Sequence, residues 1–121
     1  MKRLVLASLA LLACGFALGV GAHTVVEKTE PATDVPLDSS PPTIEVQFKH
    51  AMQMTSVVVL DAAKSERKLT FTPATSAALI TINDPALQVG RNEIRWKGLS
   101  KDGHVITGTL VFVVRQSSAN P

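Results

Sequence analysis

The chain has 121 residues, with 12 Lys and Arg against 10 Asp and Glu, three His, one Cys, one Trp and no Tyr. Its two surplus positive charges are Lys2 and Arg3, so from residue 4 onward acid and base balance. A balanced chain without a basic run gives no nucleic acid or anionic membrane to expect as partner, and a single cysteine excludes an internal disulfide.

Residues 1–22 carry the parts of a secretory signal: the cationic Met1-Lys2-Arg3, an uncharged Leu/Ala/Val-rich run to about Val20, and small residues at Val20 and Ala22 before a cleavage point. A retained anchor fits less well, because the run is shorter than the roughly 20 apolar residues of a bilayer span and no cationic cluster follows it. A lipoprotein with a lipidated Cys14 is the other alternative. Leu12 suits such a box poorly, and residues 15–22 are apolar where a lipoprotein tether is polar.

Cleavage after Ala22 removes 22 of 121 residues and leaves 99, residues 23–121, as one modest exported domain without cysteine. Its first residue is then His23. The free α-amine and imidazole of a terminal histidine form a chelate for copper(II).

The rest reads as antiparallel β. Residues 25–28 form a first short candidate strand, and residues 43–48 alternate, with Ile44, Val46 and Phe48 on one face. Residues 56–60 are continuously apolar after Ser56, the pattern of a strand covered on both faces. Short candidates follow at 68–72 and 78–82, then 92–97 alternates around Ile94 and Trp96, and 105–114 is the longest. Pro31, Pro36, Ser39-Ser40-Pro41-Pro42, Asp84-Pro85, Gly90 and Asp102-Gly103 punctuate these segments. About seven strands with no helical period predict an all-β sandwich of two sheets, with a polar tail over 116–121.

Few residues can carry chemistry. A cysteine nucleophile is absent from residues 23–121, and no nucleophile elbow accompanies His23, His50 or His104. The densest cluster is Ser100-Lys101-Asp102-Gly103-His104. Asp and His two residues apart can place a carboxylate and an imidazole on one side of an extended chain. Asp-Gly is equally a common hairpin turn, and the turn alone accounts for a solvated histidine after it.

In order, the blocks Gly90-Arg-Asn-Glu-Ile-Arg-Trp96, Leu99-Ser-Lys-Asp-Gly-His104 and Ile106-Thr-Gly-Thr-Leu-Val-Phe112 resemble the C-terminal signature of the CopC family of periplasmic copper-resistance proteins. Thr29-Glu30-Pro31-Ala32 and the strand ending at Phe48 resemble its N-terminal half, so the likeness spans residues 23–114. The resemblance implies an Ig-like Greek-key sandwich holding one copper(II) ion through His23, Asp102 and His104. It also implies a periplasmic carrier or buffer rather than an enzyme, monomeric by default, with an inner-membrane copper transporter as the candidate partner. Copper(II) favours tetragonal N and O donors, which this set supplies.

The chain departs from the family pattern in two places. Val25 stands where some members have a second histidine, and Ala62-Ala-Lys-Ser-Glu-Arg-Lys68 stands where a methionine-rich loop supplies copper(I) ligands. Copper(I) selects soft thioethers, so that site is doubtful here. His50, Met52 and Met54 could replace it if extended, but the plainer reading puts both methionines in the core and His50 in a solvated turn. Trp96 reads as core, Glu27 as a solvated carboxylate near the new terminus, and Gly108 as a bulge or close backbone approach. Two other readings stay open: a copper-dependent oxidative enzyme with a histidine brace, which the short chain and missing tyrosine disfavour, and a metal-free adhesive or structural sandwich.

Overall fold

The computed structural model describes residues 25–116, so the signal segment, Cys14, His23 and the end of the polar tail lie outside the described residues. The elements are β1 (Val26–Glu30), β2 (Thr43–Leu60), β3 (Glu66–Lys68), β4 (Thr70–Thr72), β5 (Ala77–Asn83), β6 (Gly90–Ser100) and β7 (Val105–Val114), with no helix among the described residues. Neighbouring strands run antiparallel in the order β4-β5-β2-β6-β7, and β1 and β3 also pair with β2. The all-β sandwich expected from alternation is what the chain forms.

β2 is the organising element. Its first part, Thr43 to Phe48, pairs with β5 and β1, and its second part, from Met52 on, pairs with β6 and at its end with β3. The strand changes partners where its register shifts, between Gln47 and Met52, and shifts again between Met54 and Ser56. Such irregularities bend a strand and increase its twist, which lets one chain segment serve both layers. The two strands expected over 43–48 and 56–60 are therefore one 18-residue strand.

The opposite correction applies to residues 68–72, expected as one strand. They divide into β3 and β4, which pair with different partners, because Leu69 between them turns inward, is 7% exposed, and donates its N–H to the Val57 carbonyl at 2.8 Å. A merger and a division offset each other, leaving the count at seven. Residues 56–60 are also not covered on both faces: Val57 and Val59 are buried, whereas Ser56, Val58 and Leu60 are half-buried.

One core lies inside, built from Ile44, Val46 and Phe48, Met52, Met54, Val57 and Val59, Ile80 and Ile82, Ile94 and Trp96, and Leu110, Phe112 and Val114. Alternation along each strand puts these side chains on one face, and each fully buried side chain of this size contributes about 1.5–3 kcal/mol. Phe48 meets Trp96 edge-to-face, centroids 5.1 Å apart at 73°, which ties the first half of β2 to β6. The core reading of Trp96 thus holds, although its indole N–H finds no acceptor among the described residues. Asn92 is the buried polar residue, and it is well satisfied. Its Oδ1 accepts from the Gln88 N–H at 3.0 Å and its Nδ2 donates to the Gln88 and Gly90 carbonyls at 2.8 and 3.1 Å, which clamps the connection into β6.

Met52 and Met54 are 3% and 5% exposed, so the plainer reading of both as core residues is the observed one. His50 is exposed, but it stands within β2 rather than in a turn. The β6–β7 ladder runs in unbroken register past Gly108, which faces Trp96, so no bulge marks that glycine. Gly98 has a tighter role, because a Cβ there would lie 2.5 Å from Met52 Sδ. Gly98→Ala is expected to destabilise the fold by about 1–3 kcal/mol through overpacking. In urea unfolding, the same substitution in a Met52→Ala background should cost much less, since neighbours sharing one space are non-additive.

Candidate metal centre

β6 and β7 form a hairpin whose last ladder pair is Leu99 with Val105, and the loop between them holds the Ser-Lys-Asp-Gly-His cluster. Backbone bonds close the loop: the Ser100 N–H donates to the His104 carbonyl at 2.9 Å and the Gly103 N–H to the Ser100 carbonyl at 3.0 Å. Gly103 has φ +90°, with nothing within 4 Å of where a Cβ would stand. Glycine is needed there for its backbone angle rather than for space.

Side chains then set the two candidate ligands. The Ser100 hydroxyl accepts from the His104 N–H at 3.2 Å and donates to Asp102 Oδ1, while Asp102 Oδ2 lies 3.0 Å from His104 Nδ1. The Ser100 hydroxyl, and after it the His104 ring, hold the Asp102 carboxyl below its ordinary pKa, so it is ionised at neutral pH. Both side chains are largely solvent-exposed, 69% for Asp102 and 77% for His104. A neutral imidazole donating Nδ1–H to a carboxylate keeps its lone pair on Nε2, the arrangement that orients histidine for a metal.

The structure thus brings Asp102 and His104 together, and it adds Ser100, which the reading of the sequence quoted but gave no role. The signal was available: a hydroxyl two residues before an acid and four before a histidine can bond to both across a tight turn. Among the described residues no group of three or more His, Cys, Asp or Glu side chains is placed to hold a metal ion. His50 is therefore not part of a preformed cluster with Asp102 and His104. Glu27 is exposed on β1 and lines a groove with Thr109, Leu110 and Val111.

His23 lies outside the described residues, but the place where the described chain begins is informative. The Val25 carbonyl accepts from the Lys49 N–H at 2.9 Å, beside the bend of β2. Three residues further along β2, Met52 pairs with Ser100 at the base of the turn.

Similarity to known proteins covers the same region. CopC from Methylosinus trichosporium OB3b is similar in structure, with TM-score 0.64 at 22% identity over 82% of this chain and 100% of that one. PcoC, a methionine-rich copper resistance protein from Escherichia coli, has TM-score 0.56 at 20% identity, over 75% of this chain and 97% of its own. At such identities the likeness is one of fold. No curated protein matches the chain significantly. The family model of the CopC domain matches residues 26–115, from the start of β1 to just past β7. The chain belongs to the CopC family.

Proposed function

We propose that the protein binds one copper(II) ion at its N-terminal end and acts in copper resistance as a periplasmic carrier or buffer. CopC proteins are copper-binding resistance proteins and not enzymes. The observation that carries the proposal for this chain is the Ser100-Asp102-His104 turn, which leaves an oriented imidazole and an ionised carboxylate exposed and two donors short of a tetragonal set. His23, once it is the first residue, supplies those two donors as amine and ring.

The distances support this assembly. Three residues of β2 between Lys49 and Met52 span about 10 Å at most, and the two residues from His23 to Val25 reach about 7 Å. An imidazole on that segment can meet the turn. His104 would bind through a ring nitrogen and Asp102 through its carboxylate, which gives up its contact with His104 Nδ1 to do so and offsets the metal's charge. Capture at one open end, by ligands held on a turn and a chain terminus, also leaves the ion accessible to an acceptor, for which an inner-membrane copper transporter is the candidate.

Processing and chelation are tested together. The intact mass of the exported protein should correspond to residues 23–121 and should rise by one copper on incubation with copper(II). A variant with one residue added before His23 should lose most of its affinity, because the amine has become an amide; equal binding by both forms would exclude the amine as a ligand. Binding also requires the amine and ring of His23 to lose their protons, groups with ordinary values near 7.7–8.0 and 6.5. Asp102, whose pKa is lowered, stays charged through that window. Affinity measured by competition titration should therefore weaken as pH falls from 8 and steeply below about 6.5. A constant affinity down to the range where carboxylates protonate would contradict the assigned donors.

Ser100 positions both side chains of the turn without being a ligand. Ser100→Ala should weaken copper(II) binding by about 10–100-fold, in the manner of outer-sphere partners elsewhere, while leaving the spectral signature of the bound ion unchanged. Met52 and Met54 are core residues, so Met52→Leu/Met54→Leu should leave any copper(I) binding as it is and cost less than about 1.5 kcal/mol of stability. Loss of copper(I) affinity in that variant would return the two methionines to the metal.

A further inference from the structure

Sheet edges expose rows of backbone donors and acceptors, and soluble proteins guard them with charges, proline or short length. β1 is guarded by Glu27, Lys28 and Glu30, and β3 and β4 have three residues each. β7 differs. It has ten residues, Val-Ile-Thr-Gly-Thr-Leu-Val-Phe-Val-Val, with no charge and no proline, and among the described residues β6 is its one partner strand, on one side.

The backbone shows which groups have no partner among the described residues. At the end of β7 the Val113 carbonyl accepts from the Leu37 N–H and the Arg115 N–H donates to the Leu37 carbonyl, both at 2.8 Å, so Leu37 covers the outer edge there by a short parallel bridge. Backbone groups two residues apart along an antiparallel strand face the same way. Val105, Thr107, Thr109 and Val111 therefore also turn their N–H and C=O groups to the outer edge, beyond the reach of Leu37.

We propose that this segment, from 105 to 111, pairs antiparallel with the same segment of a second copy, joining two molecules through a continuous sheet about a two-fold axis at Gly108. The occupant is argued from self-complementarity. In the register centred on Gly108, Val105 stands opposite Val111 of the second copy and Thr107 opposite Thr109, so all four outward-facing residues of each chain are used. The paired segment stops where Leu37 begins. Its outer face then carries Val–Val and Thr–Thr pairs, favourable cross-strand neighbours with no charge among them.

The inner side offers room as well. A groove of about 430 Å³ runs beside this edge, lined by Glu27, Lys28 and Asp34 as well as Val26, Leu110 and Val111. Ile106 of the second copy, half-buried in its own molecule, stands nearest to it in this register. The two Asp102–His104 turns stand at opposite ends of the shared ladder. The inference does not depend on copper, and it replaces the monomer expected from size alone.

The test is the mass of the purified protein by sedimentation equilibrium from micromolar to millimolar concentration, with amide hydrogen exchange on the same samples. The wild type should move from one chain toward two, and the Thr107, Thr109 and Val111 amides should exchange more slowly as it does. Thr107→Glu/Thr109→Glu places like charges directly opposite across the axis, yet within one chain those positions face Lys97 and Arg95, so the fold accommodates them. That variant should raise the dissociation constant at least tenfold, whereas Thr107→Lys/Thr109→Glu, which sets opposite charges face to face, should keep the dimer. A wild type that stays a single chain throughout would overturn the proposal, whether or not a strand of another protein binds this edge. A doubly acidic variant as dimeric as the wild type would overturn it equally. So would dimerisation that leaves these three amides unprotected.

Discussion

The continuity of β2 through its bend is the constraint on which the rest of the molecule depends. Six other strands would otherwise have no common reference: β1 and β5 pair with its first half, and β6 and β3 with its second, while β7 is carried by β6 and β4 by β5. A strand can serve two layers only if its side chains keep facing the core on both sides of the bend, and the register shifts after Gln47 and Met54 accomplish this. Ile44, Val46 and Phe48 point inward before the bend; Met52, Met54, Val57 and Val59 do so after it. Methionine suits the corner because an unbranched thioether fills irregular space, and Gly98 leaves that space open on β6.

The same constraint bears on the proposed centre, whose two parts come from opposite ends of the chain. β1 is aligned on β2 up to Lys49, and the β6–β7 hairpin is aligned on it from Met52. A stretch of three residues thus sets the spacing between the N-terminal segment and the turn. A bend without the register shifts would move His104 relative to Val25, so the core that packs under the bend also sets the mouth of the proposed site.

What the sequence disclosed follows from how local each feature is. Alternation at 43–48 and 92–97 and the Asp-Gly turn depend on near neighbours, and each is where its pattern placed it. The junction at 49–55 was not legible as strand, because Lys-His-Ala-Met-Gln-Met-Thr breaks the period of two where the backbone shifts register. The division of 66–72 was hidden for a related reason. Leu69 is drawn into the core by its burial, a tertiary effect that overrides strand continuity. At the site, the pairing of Asp102 with His104 was readable from spacing, whereas the part of Ser100 requires knowing that residues 100 and 104 face each other across the closed loop.

Stability and function are kept apart in this arrangement. The Asp102–His104 contact lies in solvent, where such a pair adds little to stability, and no core residue rests on it. Its hydrogen bonds therefore hold a shape rather than the fold. Gly103 makes the same point from the backbone: its positive φ brings residues 102 and 104 around a turn with no packing to enforce it, because no atom stands within 4 Å of a Cβ placed there. A side chain at 103 would meet no clash, yet would disfavour the angle itself by about 1–2 kcal/mol. The turn is thus poised by local bonds alone, free to adjust to an ion without disturbing the sandwich that carries it.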